Sequence, residues 1–429
     1  MKFLARRKKK HFTDSFNSVP YGGTKSVGGF EVTRPWLDEP TSLTVRAHCV
    51  PVSAKTSWVL LVLSGPDGAA GYGEATCFGA EAEIGALITA LSAALADDPA
   101  SSLHDLLSRL AQSEMGRARR VLCSALEQAW HDLTARRAGR RIVDQLGGPV
   151  RMRVPFYANI NRGIDDRSPD GFAAQASHIQ TQVGAQALKI APFDGLRWQK
   201  AAAHEQSALL QLGLDRVAAV RAAVPKGTRL LVDCHARLTP FLARQAFPAL
   251  ARAGVFWVEE PCDMAGLAPV EQRALRHAAN DLGMRLAGAE DITSLSEMAK
   301  VISDGGHDVV LPDLRLTGIT DGIAMLRLAV DMGVEASLHN PVGPVLDALS
   351  TQIAAALPSF LILERQIGES VLFDELRGAP VRIQDGEVVL SRAAGLGFVP
   401  DLRLAGPLET SNRGAPISFA GLAGAGPDA

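Results

Sequence analysis

The chain has 429 residues, a formal net charge of −2 and 47% hydrophobic residues. A chain of this length and apolar content can bury one large core and a smaller domain, since a (β/α) barrel takes about 250 residues. The near-neutral charge gives no reason to expect a nucleic acid or a membrane as a partner, and no apolar run reaches the roughly 20 residues that span a bilayer. We therefore expect a soluble protein of the cytoplasm.

Cysteine usage also favours a reducing compartment. The five cysteines are odd in number and lack the CxxC spacing of a zinc site. This indicates reduced thiols rather than disulfides or a thiolate metal site. They are Cys49, Cys77, Cys123, Cys234 and Cys262.

The two ends of the chain are predicted to lie outside the folded domains. Residues 6–10 read RRKKK and precede a stretch rich in Ser, Gly, Thr and Asn, so residues 1–30 are predicted to be a disordered basic tail. A nucleic-acid patch or a targeting arm is the alternative, although the segment lacks the apolar region of a secretory signal. Residues 405–429 are predicted to be a loose C-terminal tail.

Residues 31–150 show strands followed by helices. β-like runs at 43–52 and 57–64 precede the segment GYGEATCFGAEAE, and helical patterns follow at 84–96, 103–110 and 117–137. Gly147 and Gly148 then stop the helical pattern. This order is typical of an α+β domain.

From residue 151 the pattern alternates between short apolar runs and amphipathic segments of helix length. VPFYANI and ALKI are the first two predicted strands, and helices are predicted at 170–183, 241–253, 295–303, 320–332 and 345–356. Residues 151–385 are therefore predicted to form a (β/α) barrel. Residues 386–404, which include GEVVL and GLGFVPDL, are predicted to return to the first domain as an extra strand.

Each later strand of the predicted barrel ends in an ionisable residue. Because the parallel strands of a barrel all end at one mouth, these side chains are predicted to meet there. The runs LLVD, FWVE, RLAGAE, VVLPD, SLH and LILE end at Asp233, Glu259, Glu290, Asp313, His339 and Glu364.

Asp233, Glu259 and Glu290 end successive strands and are therefore predicted neighbours around the ring. Like charges about 4 Å apart cost several kcal/mol at partly buried sites unless a cation joins them. Hard oxygen ligands on rigid strands suit Mg²⁺. Alternatively, each carboxylate caps a helix or pairs with an arginine. That explanation suits a single carboxylate at a strand end better than carboxylates at three successive strand ends.

Asp313 and His339 end the next two strands. The aspartate is placed to hydrogen-bond the imidazole and hold its tautomer, which makes the histidine a general base. Removal of a proton next to a carboxylate is difficult, and a divalent cation on the carboxylate oxygens stabilises the enediolate that forms. A structural histidine and a turn aspartate are the alternatives.

These motifs resemble the enolase superfamily, specifically the subgroup of mandelate racemase and the acid sugar dehydratases. The resemblance covers about residues 31–404 and rests on VDCHARLTP, WVEEP, AGAED, VVLPDLRLTGITDG, HNPVGPVLDA and ILERQ. It implies an α/β fold, a modified TIM (β/α) barrel with an N-terminal α+β capping domain over residues 31–150 that closes over the barrel and selects the substrate. It also implies Mg²⁺ ligands at Asp233, Glu259 and Glu290, a base dyad of Asp313 and His339, and a contact of Glu364 with the substrate carboxylate region.

Two positions depart from the family pattern. Two-base racemases carry the second base as the second Lys of a KxK motif, whereas this chain reads Lys189, Ile190, Ala191. The missing lysine argues against a two-base racemase and leaves Lys189 as a cation near the substrate carboxylate, or as a structural ion-pair partner. Ala289 stands where the family more often has Gly, and its small size makes this a minor departure.

A histidine follows the first predicted metal ligand by two residues. Galactonate-type and mannonate-type dehydratases show a similar Asp-x-His, which implies that His235 protonates the departing hydroxyl; a solvent-exposed loop histidine is the alternative. Arg237 is a candidate for binding the anionic substrate. Further candidates for substrate contacts are Asn159, Asn161 and Arg162.

The resulting hypothesis is a Mg²⁺-dependent dehydratase that converts a sugar acid, a small-molecule carboxylate, into a 2-keto-3-deoxy acid. Members of the resembled family are commonly homo-oligomers, so a homo-oligomer is expected. Three alternatives stay open. A one-base racemase, epimerase or cycloisomerase would use the same metal and dyad, a barrel lyase would use Lys189 in a Schiff base, and a binding or scaffold module would leave the acidic ring unexplained.

Overall fold

The computed structural model describes residues 43–53, 56–97, 115–197 and 202–408, with the isolated positions 107 and 110. It also describes two short strands, β1 (Lys25–Val27) and β2 (Phe30–Val32), which pair antiparallel. The basic run at residues 6–10 and residues 409–429 of the predicted C-terminal tail lie outside the described residues.

In the residues that the structure describes, the N-terminal domain is an antiparallel sheet covered by two helices. Strands β3 (Thr44–Pro51), β4 (Ser57–Ser64) and β5 (Ala70–Glu74) form the predicted meander, in the order β3-β4-β5. Helices α1 (Glu81–Asp97) and α2 (Arg117–Arg137) pack on one face. This domain is hereafter the cap.

Strand β4 is buried on both faces because it lies between two hydrophobic cores. Its side chains alternate in direction, as strand geometry requires. Leu61 and Leu63 pack with the cap helices, whereas Trp58 and Leu60 belong to the core of the second domain. The Trp58 ring meets Phe373 of that domain edge to face, with ring centroids 5.9 Å apart.

The second domain is a closed barrel of eight parallel strands, which confirms the predicted fold. Parallel pairing of the eighth strand with the first closes the ring. The strands are β6 (Arg153–Asn159), β7 (Ala187–Ile190), β8 (Arg229–Asp233), β9 (Val255–Glu259), β10 (Arg285–Gly288), β11 (Val309–Val310), β12 (Glu335–Leu338) and β13 (Phe360–Gln366).

Each barrel strand is followed by a helix, and a short helix precedes the first strand. None of the helices in the described ranges is long and apolar enough to cross a membrane. The helices are α3 (Ile142–Gln145), α4 (Pro169–Val183), α5 (Ala203–Ala223), α6 (Pro240–Arg252), α7 (Pro269–Asn280), α8 (Leu295–Asp304), α9 (Leu314–Asp331), α10 (Pro344–Ala356) and α11 (Leu372–Arg377).

Helix α9 begins at Leu314, before the predicted start at residue 320. The Asp313 side chain caps it by accepting the backbone N–H of Arg315 at 2.8 Å. A kink follows at Gly318, whose φ of 69° lies in the left-handed region. The hydrophobic pattern begins again only after this kink, which explains the late prediction.

Large side chains fill the interior of the barrel beneath its mouth. Tyr157 and Trp257 are fully buried and pack edge to face, with ring centroids 5.3 Å apart. Smaller side chains from the neighbouring strands complete this layer. The barrel is therefore a packed core with a floor under its mouth.

Residues 386–404 do not return to the cap as a strand, although Leu396 in this segment donates its backbone N–H to Asp132 Oδ1 of α2 at 2.7 Å. Strands β14 (Ile383–Gln384) and β15 (Glu387–Val389) form a hairpin that pairs with residues 153–155 of β6. The barrel neighbours of β6 pair with residues 156–159 only, so its first residues offer a free edge. The strand that returns to the cap is β16 (Gly406–Pro407), antiparallel to β3, within the predicted loose tail.

A glycine permits the close contact between β5 and α2. A Cβ atom added at Gly73 would lie 2.0 Å from the Ala125 carbonyl oxygen, a backbone atom that cannot rotate away. We expect Gly73→Ala to lower the free energy of unfolding by at least about 2 kcal/mol. Exposed Gly227 has no atom within 4 Å of its added Cβ, so Gly227→Ala is expected to stay within about 0.5 kcal/mol. Urea unfolding measures both, and equal effects would contradict the packing argument.

Candidate active site

The carboxyl ends of the barrel strands bring the predicted acidic residues to one mouth. Asp233 is the last residue of β8 and pairs in register with Glu259, the last residue of β9. Glu290 follows β10 by two residues, after Ala289, whose φ is 70°. Three carboxylates from successive strands therefore lie at the same end of the barrel.

A buried ammonium group joins the carboxylates. The Nζ atom of Lys189, on β7, lies 2.6 Å from Glu259 Oε1, 3.0 Å from Glu364 Oε1 and 4.0 Å from Asp233 Oδ2. Its side chain is 1% exposed. Burial favours the neutral amine, but Glu259 and Glu364 outweigh it and raise the pKa of Lys189 above its ordinary value. Lys189 is therefore an ammonium ion in this arrangement.

Glu259 is held by a donor that the sequence did not reveal. The indole N–H of Trp257 donates to Glu259 Oε2 at 3.1 Å. The two residues are two apart on β9 and so point to the same side, which is the sequence signal for this contact. Burial, together with repulsion from Asp233 and Glu364, raises the pKa of Glu259 to about 8 although Lys189 opposes the shift.

His235 contacts Asp233 through both its imidazole ring and its backbone N–H. Its Nε2 atom is 2.8 Å from Asp233 Oδ2, and its backbone N–H donates to Asp233 Oδ1 at 2.8 Å. His235 and Ala236 both have left-handed φ values, 48° and 53°, which turn the chain back toward the aspartate. The negative charge of Asp233 raises the pKa of His235, against the effect of burial. The imidazole is 44% exposed and can meet a substrate.

Asp313 and His339 form the predicted pair. His339 Nδ1 lies 3.0 Å from Asp313 Oδ2, and the two backbones form an isolated parallel bridge. His339 Nε2 lies 3.3 Å from Glu290 Oε2. Burial opposes protonation, but Glu290 and Asp313 raise the pKa of His339 to about 9. This arrangement therefore favours the imidazolium form of the ring.

Arg315 binds Asp313 of the Asp313–His339 pair, a contact that the sequence did not identify. Its Nε atom donates to Asp313 Oδ1 and Oδ2 at 3.1 and 3.0 Å, and the side chain is buried. Although burial acts in the opposite direction, Arg315 and His339 hold the pKa of Asp313 well below its ordinary value. The arginine stands two residues after the aspartate inside LPDLRLTG, but only the capped turn brings them together.

Glu364 is bound from both sides. Asn159 Nδ2 donates to Glu364 Oε1 at 2.7 Å, and the backbone N–H of Asn340 donates to Glu364 Oε2 at 2.8 Å. Burial would raise its pKa, but Lys189 and His339 lower it below the ordinary value. The carboxylate therefore stays charged and fixes the loop after His339.

A cavity of about 340 Å³ lies above these groups, between the barrel and the cap. Asp313, Glu259 and Glu364 lie beneath its surface. Thr76, Cys77, Phe78, Arg117 and Val121 of the cap line it, as do Asn159, Asn161, Arg162, Lys189, Ala191, Asp233, His235, Glu290, Arg315 and His339 of the barrel.

Two predicted substrate contacts have other partners. Arg237 does not line the cavity, because the left-handed turn at residues 235–236 directs it toward Asp194, 3.8 Å away. Arg162 lines the cavity but is paired with Glu369 at 3.0 Å and stacks on Phe78 at 4.6 Å from the ring centroid. Arg162 therefore holds the cap against the barrel.

The donor chemistry at the mouth fits a divalent cation. Asp233, Glu259 and Glu290 present carboxylate oxygens from successive strands, and the raised pKa of Glu259 reflects crowding that a cation would relieve. The side chains are not arranged as a coordination shell, because Asp233 faces His235 and Glu290 faces His339. Among the residues that the structure describes, no three His, Cys, Asp or Glu side chains converge on one point.

Two family models match most of the chain. Residues 171–404 match the model described as Enolase C-terminal domain-like. Residues 34–147 match the model described as Mandelate racemase / muconate lactonizing enzyme, N-terminal domain.

Curated relatives are named dehydratases. D-gluconate dehydratase of Thermoproteus tenax is 31% identical over 286 residues, which are 66% of this chain and 54% of that enzyme. The matched region is thus little more than half of that relative. D-galactonate dehydratase of Variovorax paradoxus is 26% identical over 327 residues, which are 75% of this chain and 81% of that enzyme.

Solved structures share the fold. The mandelate racemase/muconate lactonizing enzyme from Sulfitobacter sp has a TM-score of 0.71 at 22% identity, with 85% of this chain and 94% of that chain covered. Identity at this level supports the fold and not the activity. Through the two matched family models, the closed barrel and the cap, the chain belongs to the enolase superfamily, in the mandelate racemase and muconate lactonizing enzyme group.

Proposed function

We propose that the protein is a Mg²⁺-dependent dehydratase of a sugar acid. One observation carries the proposal: two histidines line one cavity from opposite walls. His339 follows β12 and His235 follows β8, and these strands are four apart in a ring of eight. An acid and a base on opposite walls suit the removal of a proton and a hydroxyl from adjacent carbons, and they favour anti elimination.

His339 is proposed to remove the proton at the carbon next to the substrate carboxylate. Its Nδ1 atom is held by Asp313 at 3.0 Å, so Nε2 is the nitrogen that faces the cavity side and Glu290. The ring must be neutral to accept a proton. Compensation of the Glu290 charge would lower the raised pKa of His339 and so favour the basic form.

Members of the enolase superfamily generally use Mg²⁺. Asp233, Glu259 and Glu290 would hold the ion, which would supply positive charge to the substrate carboxylate as negative charge develops there. Lys189 adds a fixed ammonium charge at the same place, because it is buried between Glu259 and Glu364.

His235 is proposed to protonate the hydroxyl on the neighbouring carbon as it leaves. The raised pKa of this partly exposed imidazole favours the protonated form that an acid needs. Loss of water leaves an enol, which becomes a 2-keto-3-deoxy acid when a proton adds to carbon 3. The named activities of the relatives, dehydration of gluconate and galactonate, support a polyhydroxy carboxylate substrate.

The site gives little support to a Schiff-base lyase. Such chemistry needs a neutral, accessible amine. Lys189 is 1% exposed and paired with carboxylates that favour its charged form. A one-base epimerase shares every group except His235, so the fate of the hydroxyl separates the two activities.

The proposal is tested by incubating purified protein and Mg²⁺ with a library of mono- and diacid sugars. Semicarbazide detects the 2-keto acids, and EDTA serves as the control. A chelator-sensitive signal establishes dehydration and names the substrate. Exchange of the α-proton with solvent deuterium without formation of a keto acid would replace dehydration by epimerisation.

Substitution of the two histidines should separate the two half-reactions. We expect His339→Asn to abolish both α-deuterium exchange and dehydration. His235→Asn should lower dehydration by at least about 100-fold while exchange continues, because general acid catalysis contributes roughly 10²–10⁴-fold. Exposed His178 lies on α4, so His178→Asn is the matched control. Full dehydration by His235→Asn would remove the acid from the mechanism.

Removal of a proposed ligand should weaken Mg²⁺ binding. We expect Asp233→Asn and Glu290→Gln to raise the Kd for Mg²⁺ by at least about tenfold, measured by titration calorimetry without substrate. Asp291 adjoins Glu290 but is exposed and paired with Arg117, so Asp291→Asn should bind like the wild type. Equal affinities in all variants would place the ion elsewhere.

The raised pKa of His339 predicts a pH-dependent stability for metal-free protein. The folded state holds the proton more tightly, so the stabilisation is complete below pH 6.5 and is lost as pH rises through about 9. Urea unfolding in EDTA should show a fall in free energy across this interval. His339→Asn should remove up to about 3 kcal/mol of that fall. The raised pKa of Glu259 also makes the free energy of unfolding fall as pH rises, and it does so in both proteins. An equal pH dependence in the wild type and in His339→Asn would therefore contradict the raised pKa of His339.

A further inference from the structure

A carboxylate of the cap is buried against the barrel helix that follows His339. Glu74 ends β5 and is 0% exposed. Its Oε1 accepts the backbone N–H of Gly343 at 2.6 Å, and its Oε2 accepts that of Leu346 at 3.1 Å. These are otherwise unpaired groups of the first turn of α10, where a negative charge is also favoured by the helix dipole.

The surroundings of Glu74 are shaped for this contact. A Cβ atom added at Gly343 would lie 3.0 Å from Glu74 Oε2 and 2.8 Å from the Trp58 ring. The Thr76 hydroxyl also donates to Glu74 Oε1 at 2.9 Å. Only glycine at residue 343 leaves room for both the carboxylate and the ring, so the contact depends on both domains.

The loop 339–343 is fixed at two points. On the barrel side, Asn340 donates its backbone N–H to Glu364 Oε2 at 2.8 Å and its side chain to the Glu364 carbonyl at 2.9 Å. On the cap side, Gly343 donates to Glu74. His339 is the first residue of this loop, so its backbone position depends on both attachments.

We propose that Glu74 is a positioning residue for His339, which couples docking of the cap to the geometry of the base. The inference rests on the proposed function, in which His339 removes the α-proton. Glu74 does not touch the substrate cavity; it acts through the loop 339–343. Glu74 is followed along the chain by Thr76, Cys77 and Phe78, which line the cavity. One buried carboxylate therefore fixes the position of His339 relative to the cap residues of the cavity.

Glu127 provides a matched control within the same interface. This cap carboxylate accepts the backbone N–H groups of Ile319 and Thr320 at 2.8 and 3.2 Å, after the kink in α9. It therefore makes the same kind of contact with a barrel helix. Glu127 is not joined to the loop 339–343, so its loss should weaken docking without moving His339.

The experiment compares Glu74→Gln, Glu74→Leu, Gly343→Ala and Glu127→Leu in the full chain. Two readouts are taken on the folded fraction: the ring signals of His339 in ¹⁵N-histidine-labelled protein, assigned with His339→Asn, and α-deuterium exchange with D-gluconate as the probe. We expect Glu74→Leu and Gly343→Ala to shift the His339 signals and to slow exchange at least tenfold, since small displacements of a catalytic group can cost about 100-fold. Combining them should add little further loss, because both break one contact.

Glu74→Gln retains an acceptor oxygen for Gly343 and should recover most of the exchange rate. Glu127→Leu should unfold at lower urea concentration with unshifted His339 signals and exchange within about twofold of the wild type. Unshifted His339 signals in both Glu74→Leu and Gly343→Ala would overturn the proposal, as would equal losses in Glu127→Leu. If wild-type protein exchanges no sugar acid, the proposed function fails, whereas the His339 signals still decide the role of Glu74.

Discussion

The arrangement of the site depends on one buried cation. Two carboxylates, Glu259 and Glu364, lie within 3.0 Å of the Lys189 ammonium, and Asp233 lies 4.0 Å away. Buried carboxylates at such separations are tolerated only when opposite charge is fixed among them. Lys189 on β7 supplies that charge. Trp257 donates a hydrogen bond to Glu259, and Asn159 and Asn340 donate hydrogen bonds to Glu364. The positions of the other side chains at the mouth depend on this charge-compensated cluster.

A second set of carboxylates joins the two domains. Glu74 and Glu127 project from the cap and accept backbone N–H groups at the beginning of α10 and after the kink of α9. Asp132 similarly accepts the backbone N–H of Leu396 at 2.7 Å. Helix starts have free donors and a favourable dipole, so the contacts of Glu74 and Glu127 satisfy groups that would otherwise need water. The two barrel helices that follow Asp313 and His339 are thus in contact with carboxylates of the other domain.

Much of the fold was predictable because strand ends in a barrel are marked in the sequence. Apolar runs that stop at Asp233, Glu259, Asp313 or Glu364 mark the point where each strand passes from the apolar interior to the buried charged groups at the mouth. Residues whose partners lie far along the chain left no such mark: Glu74 meets Gly343 across 269 positions. The position of Arg237 outside the cavity lining was not visible in the sequence, because the two left-handed residues before it redirect the chain. The return strand lies further along the chain than predicted, because the hairpin of β14 and β15 pairs with the free edge of β6 and β16 pairs with β3. Local pattern therefore predicts elements, whereas backbone reversals and edge pairing are decided by tertiary contacts.

Strand β4 has a further consequence, since it contributes side chains to both hydrophobic cores. A barrel without the cap would expose the apolar surface that Trp58 and Leu60 cover, and a cap without the barrel would expose those side chains themselves. We therefore expect the two domains to unfold together as one cooperative unit. Sequence changes can be accommodated in the loops that border the cavity. Exchange of the whole cap between relatives would in addition require new side chains on the barrel-facing side of β4.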